Sequence, residues 1–108
     1  MRYLRIKKKK DFLKILKAGK RCHSETLTAV FLPSEQTKMA VCVGKKFGKS
    51  VQRNRVKRLL RAAFCVYAEM ISPPRSILLM PKPSEEYSFA AFSRDLKKIL
   101  QRERLIER

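Results

Sequence analysis

The side chains best suited to chemistry lie between residues 45 and 64, in the stretch KKFGKSVQRNRVKRLLRAAF. This stretch has eight Lys or Arg residues and no acidic residue. Lysine supplies a mobile charge, whereas the planar guanidinium of arginine pairs with phosphate oxygens and stacks on bases. Asn54, between Arg53 and Arg55, adds an amide that suits a 2′-hydroxyl or a base edge. These residue types predict a nucleic-acid-binding surface.

A solvated helix face is the plainer interpretation of such a charge run, because Lys and Arg are good helix formers. Solvated helices usually mix both signs of charge, however, since opposite charges at i and i+4 stabilise a helix. Here like charges stand at positions 53, 57 and 61, and no acid lies between Glu35 and Glu69. The whole chain carries 27 basic and 9 acidic residues, a net charge of +18. Self-repulsion at that charge favours a polyanionic partner.

Groups for catalysis or metal binding are scarce in this sequence. His23 is the single histidine, and only Glu85 and Glu86 are adjacent among the scattered acids. The three cysteines, which form no CxxC pair, are Cys22, Cys42 and Cys65. We interpret them as reduced, mostly structural thiols of a cytoplasmic protein, with Cys42 in the core. The sequence therefore predicts no catalytic residue and no metal site in the protein itself.

The length of 108 residues predicts a single RNA-binding domain over 1–108. Residues 1–9 are expected to form a basic arm that stays loosely ordered until an anion binds it. The beginning of the chain, MRYLRIKKKKDFLKIL, lacks the apolar core of a signal peptide. No window approaches the roughly 18 consecutive apolar residues of a membrane span. We therefore expect neither export nor a membrane partner.

Helices and strands that position the basic stretch are predicted from the spacing of apolar residues. DFLKILKAG predicts an amphipathic helix over about 10–18, ended by Gly19 in the left-handed conformation. Residues 21–33 predict one strand or two short ones, and residues 38–44 predict the next. These strand segments are expected to be antiparallel neighbours.

A long helix is predicted from about Val51 to Met70. At about 100° per residue, one face of this helix is apolar: Val56, Leu59, Leu60, Ala63, Phe64 and Tyr67. The opposite face carries Asn54, Arg55, Lys57, Arg58 and Arg61. Arg53 lies about 60° from Val56, at the apolar edge, where we expect the helix start, the preceding loop and RNA to meet.

The end of the chain predicts one more strand and one more helix. ISPPRS stops the long helix, and SILLM (76–80) is typical of an inner strand. Ser88 can cap a last helix, whose apolar stripe is Phe89, Phe92, Leu96, Ile99 and Leu100. The resulting order α-β-β-β-α-β-α predicts an α+β sandwich with helices packed on a small sheet.

The segment GKKFGKSVQRNRVKRLLRAAF strongly resembles the signature of the bacterial ribonuclease P protein family, a basic loop followed by an RNR helix. KKDFLKILKAGKR before it and FAAFSRDLKKIL near the end match the family in order and length, so that the resemblance covers nearly the whole chain. It implies a fold similar to ribosomal protein S5 domain 2, with a small, mainly antiparallel sheet and a left-handed βαβ crossover.

The resemblance also implies a function. The enzyme is a ribonucleoprotein that hydrolyses precursor tRNA to remove its 5′ leader. Catalysis would belong to the RNA subunit and its Mg²⁺ ions, while the protein would bind no cofactor alone and need no obligate protein partner.

The resemblance assigns two groups of site residues. Contacts with the RNA subunit are expected from Lys45, Lys46, Lys49, Arg53, Asn54, Arg55, Lys57, Arg58 and Arg61. A cleft between the first helix and the sheet would hold the single-stranded leader, through Phe12, Leu16, Val30, Phe31 and Lys82. Phe12 suits base stacking and plain core packing equally. The chain departs from the family at Leu16 and Val30, where an aromatic is common, so that leader stacking would be weaker or shared with Phe31. It departs again at Met80-Pro81-Lys82, where an Ala-Arg pair is common.

Two alternative functions remain open from the residues. A ribosomal or generic structured-RNA-binding protein would explain the charge but not the RNR signature. A protein-only nuclease would need convergent acids around a metal ion, which the basic face lacks.

Overall fold

A computed structural model of the chain describes residues 3–84 and 86–106, which form three helices packed on one sheet. The strands are β1 (Leu4–Arg5), β2 (Lys20–His23), β3 (Leu27–Pro33), β4 (Lys38–Val41) and β5 (Arg75–Pro81). The helices are α1 (Lys9–Ala18), α2 (Ser50–Tyr67) and α3 (Phe89–Arg102). Short 3₁₀ turns at Lys45–Phe47 and Ala68–Met70 flank α2. The α+β class predicted from the sequence is confirmed.

The sheet has the strand order β1-β4-β5-β3-β2. The longest pairing is antiparallel, between β3 and β5, and β2 adds a second antiparallel pair at one edge. β4 pairs with β5 and β1, both in parallel. The prediction that β3 and β4 are antiparallel neighbours is therefore wrong, because β5 lies between them. A central place suits β5, whose consecutive residues Ile77, Leu78 and Leu79 are buried on alternate faces.

The parallel strands β4 and β5 are connected by α2, so a βαβ crossover is present. The left-handed sense of this crossover stays a prediction. α2 starts at the loop after β4 and lies with α3 on one face of the sheet, while α1 covers the other face.

Alternation along β3 separates two apolar cores. Ala29 and Phe31 pack in the larger core with α2 and α3, together with Ile77 and Leu79 of β5. Val30, between them, packs in the smaller core under α1. Because successive strand residues face opposite sides of a sheet, one strand serves both cores.

Gly19 ends α1 as predicted, but not in the predicted conformation. Its φ of −77° and ψ of 157° are extended, so no left-handed residue is needed there. A Cβ at this position would lie 2.6 Å from Cγ1 of Val30 and 3.0 Å from the carbonyl oxygen of Phe31. Glycine is therefore required here by the close approach of the helix end to β3.

The other two helices follow their predicted apolar stripes. Val56, Leu60, Ala63, Phe64 and Tyr67 are buried on α2, with Leu59 partly buried. In α3 the cap is as predicted, because Oγ of Ser88 accepts a hydrogen bond from the amide of Ala91 at 3.1 Å. The stripe of α3 is buried except at Phe89, the first residue of the helix, which is exposed.

The basic arm is more ordered than the sequence predicted. The amide of Leu4 donates to the carbonyl of Thr37 at 3.0 Å, and that of Ile6 to Met39 at 3.1 Å. Tyr3 and Ile6 are buried, one in each core. The expectation of a loose arm is thus wrong for residues 3–6, because these apolar side chains gain more from burial than from hydration. Residues 1 and 2 of the arm lie outside the described residues. Among the helices that the structure describes, none is long and apolar enough to cross a membrane.

Candidate nucleic-acid interface

The loop before α2 has a backbone shape that depends on glycine. A 3₁₀ turn is closed by hydrogen bonds from the amide of Phe47 to Gly44 (3.1 Å) and from that of Gly48 to Lys45 (3.2 Å). Gly48 has a φ of +111°, which residues with a Cβ rarely adopt. The amide of Lys49 then donates to Oε1 of Gln52 at 2.8 Å, satisfying one free group at the helix start. This local structure holds the basic loop directly against the basic helix.

The structure brings the predicted RNA-contacting residues of the loop and helix into one region. Most of them are exposed: Lys45, Lys46, Lys49, Asn54, Arg55 and Arg58. Lys57 and Arg61 are half-buried along one flank of α2. Their binding of RNA stays a prediction.

The charges of this region are not neutralised by the described part of the chain. Ion pairs between described residues lie elsewhere, at Lys20–Glu103 (2.6 Å) and at Arg94, which pairs with Glu25 (3.7 Å) and Asp95 (3.1 Å). None involves a basic residue of the loop or of α2. A polyanion would therefore meet cations that need not give up a protein partner first.

Arg53 occupies the apolar edge of α2 that the helical spacing predicted. Its side chain is half-buried, and its Nη2 donates to Oγ of Ser50 at 3.3 Å. Its Nε is buried and has no hydrogen-bond partner among residues 3–84 and 86–106. A buried donor left unpaired costs free energy, so an acceptor brought by a ligand would be favourable here.

The structure brings together only some of the residues predicted to form the leader cleft. Phe12 and Leu16 of α1 are half-buried against the smaller core, and Lys82 is half-buried just after β5. Val30 has no exposed surface, because α1 lies over it. Phe31 belongs to the larger core on the opposite face of the sheet and is 5% exposed. The expectation that Phe31 shares base stacking in this cleft is therefore wrong.

A cavity of about 240 Å³ is lined by residues of both α1 and α2, the predicted RNA-binding helix. Phe12 lines it together with Arg61 of α2 and with Arg5 and Lys7 from the N-terminal segment. None of the described residues that line it carries a carboxylate. Arg5 and Lys7 were not predicted as site residues. The alternation of apolar and basic residues in YLRIK is typical of an edge strand and could have indicated β1.

The titratable groups with perturbed pKa values are structural. Asp95 is 2% exposed, and burial alone would raise its pKa. Its carboxylate accepts hydrogen bonds from the amide and hydroxyl of Thr26 (2.9 and 2.6 Å) and from Nε of Arg94 (3.1 Å). These bonds hold the pKa of Asp95 below its ordinary value. Asp95 thus clamps α3 to the loop between β2 and β3.

The cysteines and the histidine form no reactive cluster. Cys22 is buried, and burial raises the pKa of its thiol. Cys42 and Cys65 are exposed, so the prediction of a core position for Cys42 is wrong, as this residue follows the last residue of β4. Nδ1 of His23 is hydrogen-bonded to Oγ1 of Thr28 at 3.0 Å. Within the described ranges, no three His, Cys, Asp or Glu residues converge on a point that could hold a metal ion.

The sequence also matches known proteins over nearly its whole length. A sequence model of the Ribonuclease P family matches residues 1–104. A ribonuclease P protein component from Bacillus velezensis is 31% identical over 107 residues, covering 96% of this chain and 92% of the relative. One from Chlamydia muridarum is 35% identical over 97 residues, covering 87% and 81%.

Solved structures share the fold. The RNase P protein of Staphylococcus aureus has a TM-score of 0.82 with 24% identity, covering 95% of this chain and 97% of the other. The RNase P protein of Thermotoga maritima has a TM-score of 0.79 with 28% identity, covering 91% and 96%. On the family match and these relatives, the chain belongs to the Ribonuclease P family, as a ribonuclease P protein component.

Proposed function

We propose that this protein, acting as a single RNA-binding domain in the cytoplasm, helps a catalytic RNA subunit to remove the 5′ leader from precursor tRNA. In this proposal α2 and the loop before it bind the RNA subunit, and the region between α1 and the sheet binds the leader. The observation that supports it most directly is the set of unneutralised cations on one helix and its loop, in a chain of the Ribonuclease P family.

Binding of the RNA subunit would use both the charge and the rigidity of α2. The apolar stripe of the helix is buried on the sheet and α3, so the backbone that carries its basic residues is fixed before RNA arrives. These side chains would replace cations condensed on the RNA phosphates, and the release of those counterions would add affinity that decreases with salt. A phosphate or base acceptor near Arg53 would also pair its free Nε.

Leader binding would use the cavity that Phe12 shares with Arg5, Lys7 and Arg61. Single-stranded nucleic acids bind where an aromatic ring can stack on a base and cations follow the backbone. This cavity offers one ring and three cations within about 240 Å³. Since Arg61 lies on α2, the leader site and the RNA-subunit site would be adjacent.

The chemistry of cleavage would come from the RNA subunit. We propose that Mg²⁺ ions in the assembled enzyme are held mainly by that RNA, because the described residues offer no convergent carboxylates. The protein would lower the magnesium requirement by screening repulsion between RNA phosphates with its own cations.

Reconstitution with the RNA subunit tests this proposal. Precursor tRNAs with a short and a long leader are cleaved at low Mg²⁺, with and without the protein. The protein should stimulate cleavage, and more strongly for the long leader, while Arg53→Ala combined with Arg55→Ala should weaken assembly. Cleavage that the protein leaves unchanged would support a generic RNA-binding protein instead. Cleavage by the protein without RNA would support a protein-only nuclease.

A further inference from the structure

We propose that one unpaired base of the RNA subunit inserts into a second pocket, on the flank of α2 that carries Arg55. This inference rests on the proposed function, because it assumes that α2 binds the RNA subunit. The pocket has a volume of about 280 Å³. It is lined by Phe47, Gln52, Arg55, Val56, Ser84 and Tyr87.

The two aromatic walls of this pocket, Tyr87 and Phe47, are held by contacts within the protein. The ring of Tyr87 stacks on Phe92 of α3, with centroids 5.7 Å apart and planes at 24°. Its hydroxyl donates to the carbonyl of Lys82 at 3.0 Å and accepts from the amide of Ser84 at 3.1 Å. Phe47, on the other side, is half-buried against the larger core. A base would therefore enter a preorganised site, and little conformational entropy would be lost in ordering these two rings on binding.

The groups around the pocket match the chemistry of a nucleobase. Arg55 is exposed and has no ion-pair partner among the described residues, so its planar guanidinium is available to stack on a base or to pair with its edge. Oε1 of Gln52 accepts from the amide of Lys49, and no hydrogen bond between described residues uses the amide nitrogen of Gln52, which can therefore donate to a ligand. Two aromatic rings and two polar donors suit a flat heterocycle that carries acceptors.

The size of the pocket favours one base over a larger ligand. Sites for drug-sized molecules are roughly 300–1,000 Å³, and this pocket is below that range. Sequence-specific proteins commonly read RNA through unstacked bases of single-stranded segments. A single extruded base fits both the volume and this mode of recognition.

The position of the pocket indicates the RNA subunit and not the leader as the source of the base. Arg61, which lines the leader cavity with Phe12, lies about 120° around α2 from Arg55. Arg58 and Asn54 are exposed between these two flanks. A strand that follows this ridge would reach the second pocket without entering the leader cavity.

Filling the pocket tests the inference. Ser84→Phe places a ring in the pocket from an exposed loop position. Ser34→Phe is the matched control, because the two serines make the same local hydrogen bond. The hydroxyl of Ser84 donates to the carbonyl of Glu86, and the hydroxyl of Ser34 donates to the carbonyl of Gln36. Affinity for the isolated RNA subunit is measured at several salt concentrations. Ser84→Phe should weaken it by roughly tenfold or more, the scale of one lost stacking contact, with an unchanged salt slope. Ser34→Phe should have no effect.

A second variant keeps the test decisive if the loop of Ser84→Phe does not fold. Arg55→Lys keeps the charge, and so should keep the salt slope while lowering affinity through loss of the planar guanidinium. Full affinity in both variants would overturn the pocket. If the protein still stimulates cleavage of precursor tRNA by the RNA subunit at low Mg²⁺, the proposed function stands and only the pocket fails; if it does not, both fail. Weakened binding of a long leader, with unchanged affinity for the RNA subunit, would overturn the assignment of the base.

Discussion

The ring of Tyr3 meets the ring of Phe64 edge to face, with centroids 4.8 Å apart and planes at 89°. Next to this contact, Sγ of Cys65 donates to the hydroxyl of Tyr3 at 3.8 Å. The N-terminal segment is thereby attached to α2, the helix of the predicted RNA surface. This attachment holds Arg5 beside the cavity that Arg61 and Phe12 line.

Removal of the Tyr3 ring should destabilise the protein. Tyr3→Ala is expected to lower the free energy of unfolding by about 3 kcal/mol, because a buried ring and its aromatic contact are lost. Tyr3→Phe should cost less than about 1 kcal/mol, since only the weak thiol hydrogen bond disappears. Urea unfolding of both variants measures the difference. Equal stability of Tyr3→Ala and the natural chain would show that the segment is not anchored.

Arg58→Ala should change how RNA binding depends on salt. If Arg58 contacts a phosphate, the slope of log affinity against log salt should decrease by roughly one. Lys97→Ala on the exposed surface of α3 is the matched control and should leave the slope unchanged. Filter binding of the RNA subunit over a range of salt concentrations gives both slopes. Identical slopes for the two variants would remove Arg58 from the interface.

Phe12→Ala should weaken binding of precursor tRNA in a way that depends on the leader. Loss of one stacked base is expected to reduce the affinity of the reconstituted enzyme for a long-leader precursor by roughly tenfold. A precursor with a very short leader should bind as before. Leu13→Ala, at an exposed position of the same helix, is the control and should change neither.

The same loss of affinity for both precursors would contradict leader stacking by Phe12. It would indicate that Phe12 acts as plain core, an interpretation that thermal unfolding of the variant would check independently.

The stability of the fold should depend on pH through Asp95. Its pKa in the folded protein is below its ordinary value near 3.8, because the hydrogen bonds of Thr26 and Arg94 outweigh the effect of burial. Its carboxylate therefore stabilises the fold fully above the unfolded pKa, and this contribution is lost as pH falls through the folded pKa. Asp95→Asn should cost about 2 kcal/mol at neutral pH. The difference from the natural chain should shrink as the solution is acidified below pH 4.

Urea unfolding at several pH values measures this difference. Thr26→Val, which removes the hydroxyl donor at 2.6 Å, should reproduce part of the same pH dependence. A constant difference between Asp95→Asn and the natural chain at all pH values would contradict the proposed clamp.

Features with short-range causes could be predicted from the residues. The three helices follow from apolar residues at helical spacing and, for α3, from the capping hydroxyl of Ser88. The division of α2 into a buried stripe and a basic face follows from the same geometry, and so does the half-buried position of Arg53. In each of these cases the residues that matter lie within a few positions of one another.

Features that join distant segments could not be predicted in this way. The insertion of β5 between β3 and β4 depends on hydrogen bonds that no local pattern specifies. The sequence does not specify which face of the sheet α1 covers. In the structure α1 covers the face of Val30, and Phe31 lies on the opposite face. The parallel pairing of Leu4–Arg5 with β4 gave order to an arm that its lysines alone would leave loose.

The sequence by itself determined where the positive charge lies, which helix presents it, and which family the RNR stretch resembles, because these depend on residue type and local spacing. Only the tertiary structure decided which basic and aromatic side chains share a cavity. It placed Arg5 and Phe12 beside Arg61, and Tyr87 beside Arg55, from segments far apart in the chain. Such cavities arise from the packing of helices on the sheet, which depends on all the apolar contacts of the fold at once.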